Sequence, residues 1–352
     1  MKIEFSIHTK SSDLLLQWFN DNSETTMKEI LKQPCTQIMA GVVGNTLSQN
    51  DLPTFYDELR SFSINDSSGS DPYGLKLAWL QRDASSMLLN EIKEYDFQGE
   101  IVDRIKPYIP TDYPLNITCN VYFVLTGWEW GDAMVREITK IDDHYNVTEQ
   151  GESVIIINLS ILTNLYGDDV DELLNDNVSN TMSHELFHLV FAEYQHVSSY
   201  WKNNRDTTKI GQLVEIIQNE GIAHYLSHNQ MQYLIKYYNT SNELKEHEKD
   251  AFGQLDAAVK ILLNIETCEQ EKDSILMKSN VGKYWDKYGC IAGKFMVYHI
   301  INEYGEEAIQ QSLSEGARYF LELYDKLQIK SPTIPGLPEE LKQYSINKAH
   351  PR

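Results

Sequence analysis

The chain has 352 residues, with 52 Asp plus Glu against 30 Lys plus Arg, a formal net charge of −22 and 41% hydrophobic residues. This composition is that of a globular protein rather than a disordered chain, and the length allows two domains or one large core with an added helical bundle. The acidic excess argues against nucleic acid and anionic membrane surfaces as partners, because both bind clustered Lys and Arg.

The first third of the chain has the apolar spacing of amphipathic helices. Apolar residues recur at intervals of three and four between residues 11 and 108, and only residues 65–74, which are rich in Asn, Asp, Ser and Gly, interrupt the pattern. The spacing predicts a helical N-terminal region over residues 1–110.

Two strand patterns follow. Asn116–Leu125 is rich in β-branched and aromatic residues, and Ser153–Leu159 is a short apolar run after a glycine. Between them, residues 127–134 contain two glycines and two tryptophans, a composition that indicates a loop or a bulged edge beside a binding site. From Asp169 almost to Leu327 the spacing is helical again, apart from a polar break at residues 200–206.

This order of elements predicts an α+β fold that is mostly α, with a small sheet covered by helices. We expect a core at residues 111–230 and a C-terminal helical region at residues 231–352 that completes the cleft. The longest aliphatic run is too short to cross a bilayer, and the first residues lack the apolar stretch of an export signal. A cytoplasmic protein is therefore expected, with its four widely spaced cysteines reduced and mostly in the core.

The residues that carry chemistry lie in the segment NTMSHELFHLVFAEYQHV. His184 and His188 are one turn apart on a helix, separated by about 40° around its axis, so both imidazoles can bind one metal ion. Glu185 lies beside that pair, where its carboxylate can accept a proton from metal-bound water. A wide apolar arc on the same helix predicts that the helix is buried, and buried polar groups need partners such as a metal ion.

A catalytic zinc needs a third protein ligand and an open position for water. The extended pattern H-E-x-x-H-x-x-G-x-x-H is absent, because positions 191 and 194 are Phe191 and Tyr194. A glutamate on a following helix is the alternative, and Glu220 in QLVEIIQNEGIAHYLSH provides one. His228 is a weaker alternative third ligand.

The two motifs together resemble the gluzincin metallopeptidases. In this sequence, His184-Glu185-x-x-His188 is followed 32 positions later by Glu220 in the run NEGIAHY. Among the gluzincins, the chain is most similar to bacterial families of uncharacterised function that are described only as zinc-dependent peptidases. The resemblance implies a zincin-like core, a single zinc held by His184, His188 and Glu220, and Glu185 as general base.

The resemblance implies further residues. Gluzincins use a downstream Tyr or His to stabilise the oxyanion, which favours Tyr288 here, with Tyr284 one turn earlier. They also bind substrate along an edge strand, for which Asn116–Leu125 and Ser153–Leu159 are the candidates, with Gly127 and Trp128 in the adjoining loop. His224, one turn after Glu220, either hydrogen-bonds a zinc ligand or lines the polar side of its helix.

The sequence thus predicts a zinc peptidase acting on peptides or proteins by means of a metal-activated water. One alternative is a catalytically silent zincin-fold protein that binds peptides, and another is a helical interaction protein with an accidental motif. A zinc assay and a cleavage assay separate these three hypotheses.

Overall fold

Five strands and a larger number of helices make up the parts of the chain that the computed structural model describes, residues 2–47, 51–63, 71–127, 131–142, 144–148 and 151–346. The strands are β1 (Lys2–His8), β2 (Asn116–Val124), β3 (Ala133–Ile141), β4 (His144–Thr148) and β5 (Glu152–Asn158). The prediction of a mostly helical α+β fold with a small sheet is confirmed. Within the described ranges, no helix combines the length and hydropathy needed to cross a membrane.

Packing divides the chain into two units. The sheet unit comprises residues 2–102 and 116–189, and the helical unit comprises residues 103–115 and the described part of 190–352. The three-part division expected from the sequence stays a prediction.

The sheet unit holds all five strands in the order β1-β2-β5-β3-β4. Strands β1, β2 and β5 are parallel, whereas β3 runs antiparallel to both β5 and β4. Its helices are α1 (Lys10–Asp21), α2 (Glu24–Leu31), α3 (Pro34–Leu47), α4 (Asp51–Ser61), α5 (Leu75–Leu80), α6 (Arg82–Glu94), α7 (Phe97–Ile105), α8 (Leu159–Tyr166), α9 (Val170–Glu172), a π-helical turn (Leu173–Val178) and most of α10 (Ser179–Val197).

Helix α3 covers one face of this sheet. Its apolar side chains form a buried cluster with alternate residues of β2, β3 and β5, namely Cys35, Ile38, Met39, Val42, Tyr122, Val124, Met134, Ile138, Val154 and Ile156. The alternation follows from the two-residue period of a strand, which sends every second side chain to the same face. Three of the four cysteines are buried, and Cys268 is exposed, so the expectation of core cysteines holds for three.

The expectation that β2 or β5 is an edge strand is wrong. Both strands are interior, because β1 pairs with β2 and β3 pairs with β5, so β1 and β4 are the edges of the described sheet. A glutamine side chain accepts a hydrogen bond from one amide of each edge strand: Gln98 from Phe5 N at 3.4 Å, and Gln37 from Tyr145 N at 2.9 Å. These contacts satisfy backbone donors that an edge strand would otherwise expose.

The helical unit is built around two helices, α12 (Lys209–Leu226) and α16 (Tyr288–Tyr304). Every residue of α16 from Tyr288 to Ile300 is buried. The others are α11 (Ser199–Asn204), α13 (His228–Tyr237), α14 (Asn242–Leu263), α15 (Glu269–Asn280), α17 (Glu306–Glu315), α18 (Ala317–Lys330) and α19 (Glu339–Ile346), with short 3-10 turns at Lys106–Tyr108 and Tyr284–Asp286. The polar break expected at residues 200–206 is mostly helix α11.

Glycines set the close approach of α12 and α16. A Cβ atom on Gly293 would lie 2.0 Å from the carbonyl oxygen of Ile217, and one on Gly221 would lie 2.5 Å from the carbonyl carbon of Gly293. The two backbones therefore touch directly, which only glycine permits at both positions. Since Gly221 adjoins Glu220, this crossing fixes the place of Glu220 relative to α16.

Candidate metal centre

The two histidines of the HELFH segment are adjacent on α10. His184 Nε2 and His188 Nε2 are 3.0 Å apart, and the two rings meet edge to face at 4.7 Å. Two imidazole nitrogens on a tetrahedral zinc lie roughly 3.3 Å apart, given zinc–nitrogen bonds of about 2.0–2.1 Å. The pair therefore already has the separation that one zinc ion requires.

Glu185 is a buried carboxylate, with 8% of its surface exposed. Its charge acts on Arg136 of β3: burial lowers the pKa of this guanidinium, and the carboxylate of Glu185 partly offsets that effect. Arg136 Nη1 also donates to the carbonyl oxygen of Val135 at 2.7 Å. Arg136 thus places a positive charge near the proposed general base, and no local sequence pattern indicated it.

Glu220 lies on α12 and is held by a residue that the sequence analysis missed. Asn280, the last residue of α15, donates from Nδ2 to Glu220 Oε1 at 2.9 Å. Its Oδ1 accepts a hydrogen bond from Cys290 Sγ at 3.1 Å, which fixes the orientation of the amide. Asn280 is 60 residues from Glu220, so only the tertiary fold could reveal this contact.

Two groups of side chains offer candidate ligand atoms: the predicted set of His184, His188 and Glu220, and the set of Glu220, His224 and Cys290, whose ligand atoms lie within 4.8 Å of one another. In the second group burial raises the pKa of the Cys290 thiol well above its usual value, and the charge of Glu220 raises it further. A thiol must lose its proton to bind zinc. The first group has no such cost, and two imidazoles with one carboxylate form a ligand set of catalytic zinc sites.

Tyr288 is buried, and its hydroxyl is bonded inside the helical unit. Tyr288 Oη donates to the carbonyl oxygen of Ile275 at 2.9 Å, and burial raises the pKa of this phenol. Tyr284, on the 3-10 turn before α16, instead meets the ring of His224 edge to face at 5.7 Å. Of the two tyrosines, Tyr284 is therefore the one that contacts a residue of the predicted site, His224 on α12.

Two predicted substrate-binding residues remain, Gly127 and Trp128. Gly127 has φ +149, a conformation that favours glycine, and a Cβ atom there would lie 2.3 Å from Met39 Cε. Its backbone N–H donates to the carbonyl oxygen of Tyr73 at 2.9 Å, so Gly127 has a structural role whether or not it contacts substrate. Trp128 lies outside the described residues.

A family model matches residues 27–333, and its description reads "Putative zinc dependent peptidase (DUF5700)". The chain belongs to this family. The match covers most of the sequence and includes both motifs, which confirms the expected similarity to a zinc-dependent peptidase family; membership of the gluzincins stays a prediction. The family description supports a zinc peptidase in general terms. No curated protein and no solved structure is significantly similar to the chain.

Proposed function

We propose that the protein is a zinc-dependent peptidase with a zincin-like core, in which His184, His188 and Glu220 hold one zinc ion. The observation that carries this proposal is the 3.0 Å separation of His184 Nε2 and His188 Nε2, to which Glu220 adds the third protein ligand that a catalytic zinc site takes while it leaves one position open. The family description agrees with this choice of metal and reaction.

Zinc, when bound, supplies a Lewis acid that lowers the pKa of water and polarises a peptide carbonyl. The chain's own residues supply the proton transfers. The carboxylate of Glu185 accepts the proton of the attacking water and delivers it to the leaving amine nitrogen. Its low exposure keeps bulk water from competing for that proton.

Two residues prepare the zinc ligands. Asn280 donates a hydrogen bond to Glu220 Oε1 and thereby orients this carboxylate. His224 stands one turn after Glu220 on α12 and contacts the ring of Tyr284. We assign His224 a supporting role beside Glu220 rather than a place among the ligands.

The oxyanion role predicted for Tyr288 fits Tyr284 better. The hydroxyl of Tyr288 donates to Ile275 O within a buried environment, and using it for substrate would break that bond. We therefore propose Tyr284 as the phenol that donates a hydrogen bond to the substrate oxyanion. An oxyanion donor of this kind is worth several kcal/mol of transition-state stabilisation.

The test compares the wild type with Glu185→Gln and with a matched control, Glu193→Gln, on the same helix. Purified proteins are assayed for bound zinc and for cleavage of a synthetic peptide library by mass spectrometry. We expect one zinc per chain in all three proteins, with cleavage at least about 100-fold slower in Glu185→Gln alone.

Each other outcome has a defined meaning. If the wild-type protein binds zinc and retains peptides without cleaving them, the chain is the catalytically silent peptide-binding protein. A chain without stoichiometric zinc, or Glu185→Gln that cleaves like the wild type, would overturn the proposed function.

A further inference from the structure

Lys294 is a lysine in the middle of the buried helix α16, with none of its surface exposed. Removing an ammonium group from water costs several kcal/mol unless the protein provides compensating contacts. Accordingly, burial lowers the pKa of Lys294 to about 7. Buried ionisable groups with shifted pKa values cluster at functional sites, so a lysine at this position calls for a functional reason.

Three aromatic rings and one hydroxyl surround the Lys294 ammonium. Nζ lies 4.9, 4.6 and 5.2 Å from the ring centroids of Tyr284, Trp285 and Phe295. It donates a hydrogen bond to Tyr284 Oη at 2.8 Å. Aromatic faces attract a cation, and Trp285 is itself held by stacking on His247 at 3.9 Å. The 3-10 turn that carries Tyr284 is thus fixed from two sides.

The direction of the Lys294 hydrogen bond determines the direction of the Tyr284 hydroxyl. In its charged form Lys294 has donors only, so Tyr284 Oη accepts from it. The phenolic O–H of Tyr284 must then point away from Lys294. The ring of Tyr284 meets His224, which lies about 40° from Glu220 around the axis of α12. The phenol is therefore held against the face of α12 that carries Glu220.

We propose that Lys294 is a positioning residue, which orients the hydroxyl of Tyr284 so that it donates a hydrogen bond to the substrate oxyanion. This inference rests on the proposed peptidase function and adds a residue that does not itself touch substrate. It explains why the buried helix α16 contains a lysine. It also explains why Tyr284, rather than Tyr288, donates the hydrogen bond to the oxyanion.

A double-mutant cycle tests whether Lys294 acts through Tyr284. The variants are Lys294→Met, Tyr284→Phe and the double variant, with Tyr233→Phe on the exposed side of α13 as control. With the peptide library, we expect kcat to fall about 10- to 100-fold in Lys294→Met and roughly 100-fold in Tyr284→Phe. KM and zinc content should stay unchanged. The double variant should be no slower than Tyr284→Phe.

Two kinetic results would overturn the inference. One is an effect of Lys294→Met that persists in full in the Tyr284→Phe background, because the lysine would then act on something else. The other is a loss of kcat in Tyr288→Phe with none in Tyr284→Phe.

A second measurement needs no turnover and separates this inference from the proposed function. 3-Fluorotyrosine is placed at position 284, or at 233 as control, and the fluorine signal is followed by NMR with and without one equivalent of zinc. We expect the signal at 284, but not at 233, to shift on addition of zinc and to shift or split in Lys294→Met.

If no variant cleaves any peptide, the proposed function fails and this spectrum still decides the role of Lys294. An unchanged fluorine signal at 284 in Lys294→Met would show that the lysine does not orient the phenol. A signal that moves only in the Lys294→Met variant, and not with zinc, would place Tyr284 away from the metal and likewise overturn the inference.

Discussion

At the scale of single residues, the contacts of Asn280 make it a determinant of zinc affinity. Cys290 and Glu220 hold the two ends of its amide. We expect Asn280→Leu to raise the zinc dissociation constant about 10- to 100-fold, because outer hydrogen bonds orient metal ligands. Competition with a chromogenic chelator measures the zinc dissociation constant of each protein.

The matched control for that experiment is Asn203→Leu. Asn203 is exposed on α11 and donates to the carbonyl oxygen of Ser199, one turn earlier. Its substitution should leave zinc affinity unchanged. Equal affinity of wild type and Asn280→Leu would show that Glu220 needs no support from Asn280.

Lys294 should also give the protein a characteristic pH dependence of stability. Its pKa is about 7 in the folded chain, against an ordinary value of 10.5. The unfolded chain therefore binds more protons between these values, and folding gains stability as pH rises, by up to about 1.4 kcal/mol per pH unit. Below about pH 7 both states carry the charge, so this contribution is lost.

Comparison with Lys294→Met isolates this effect. Free energies of unfolding in urea, with chelator present, are measured at pH 6, 7, 8 and 9. We expect the variant to be the more stable at pH 6, and its advantage to shrink between pH 7 and 9. The exposed Lys278→Met serves as control, with a constant difference from the wild type. A constant difference for Lys294→Met would contradict the low pKa.

Some of these residues could be predicted from the sequence and others could not. His184, Glu185, His188 and Glu220 stand in local motifs whose spacing on a helix has a chemical meaning. Asn280, Arg136 and Lys294 have no such motif, because their partners are distant in sequence or their burial depends on tertiary packing. A lysine within an otherwise apolar helical run, as at position 294, is the one signal that sequence reasoning could have used.

At the scale of elements, the crossing of α12 and α16 is the contact most sensitive to side-chain size. We expect Gly293→Ala to destabilise the protein by at least about 2 kcal/mol, since the added Cβ would overlap the carbonyl oxygen of Ile217. The shift of α12 that relieves this overlap would move Glu220 and weaken zinc binding. Urea unfolding and the chelator assay measure both effects.

Gly253→Ala is the matched control for this prediction. Gly253 lies inside α14, and a Cβ atom there would meet nothing within 4 Å. Alanine is the better helix former, so this variant should gain about 0.5–1 kcal/mol. If Gly293→Ala also stabilised the protein, that result would contradict the close approach of α12 and α16 at Gly293.

The sequence indicated the central strands but not the order of the sheet. β2 and β5 are apolar runs that any strand rule detects, whereas β3 contains charged residues such as Arg136 and Lys140, and β4 is short and mostly polar. β1 preceded the first recognised helix and was missed. Pairing depends on contacts between distant segments, so no local sequence pattern places β1 and β4 at the edges.

At the scale of the whole molecule, the net charge of −22 should make stability depend on salt. Like charges repel one another in the compact state and separate on unfolding. Many of the Lys and Arg residues are in exposed ion pairs, such as Lys28–Glu24 and Lys330–Glu303, and such pairs contribute little, about 0–1 kcal/mol each. Repulsion should therefore dominate the response to salt.

We expect the thermal midpoint to rise as sodium chloride increases from about 0.02 to 0.3 M, a range over which the screening length falls from roughly 20 Å to below 10 Å. The charge-reversal variant Glu94→Lys/Glu266→Lys provides the comparison, because both residues are exposed and each reversal replaces one negative charge with one positive charge. Its midpoint should be higher at low salt and should rise less with salt. A wild-type midpoint that falls with salt would mean that exposed ion pairs outweigh the repulsion of the acidic surface.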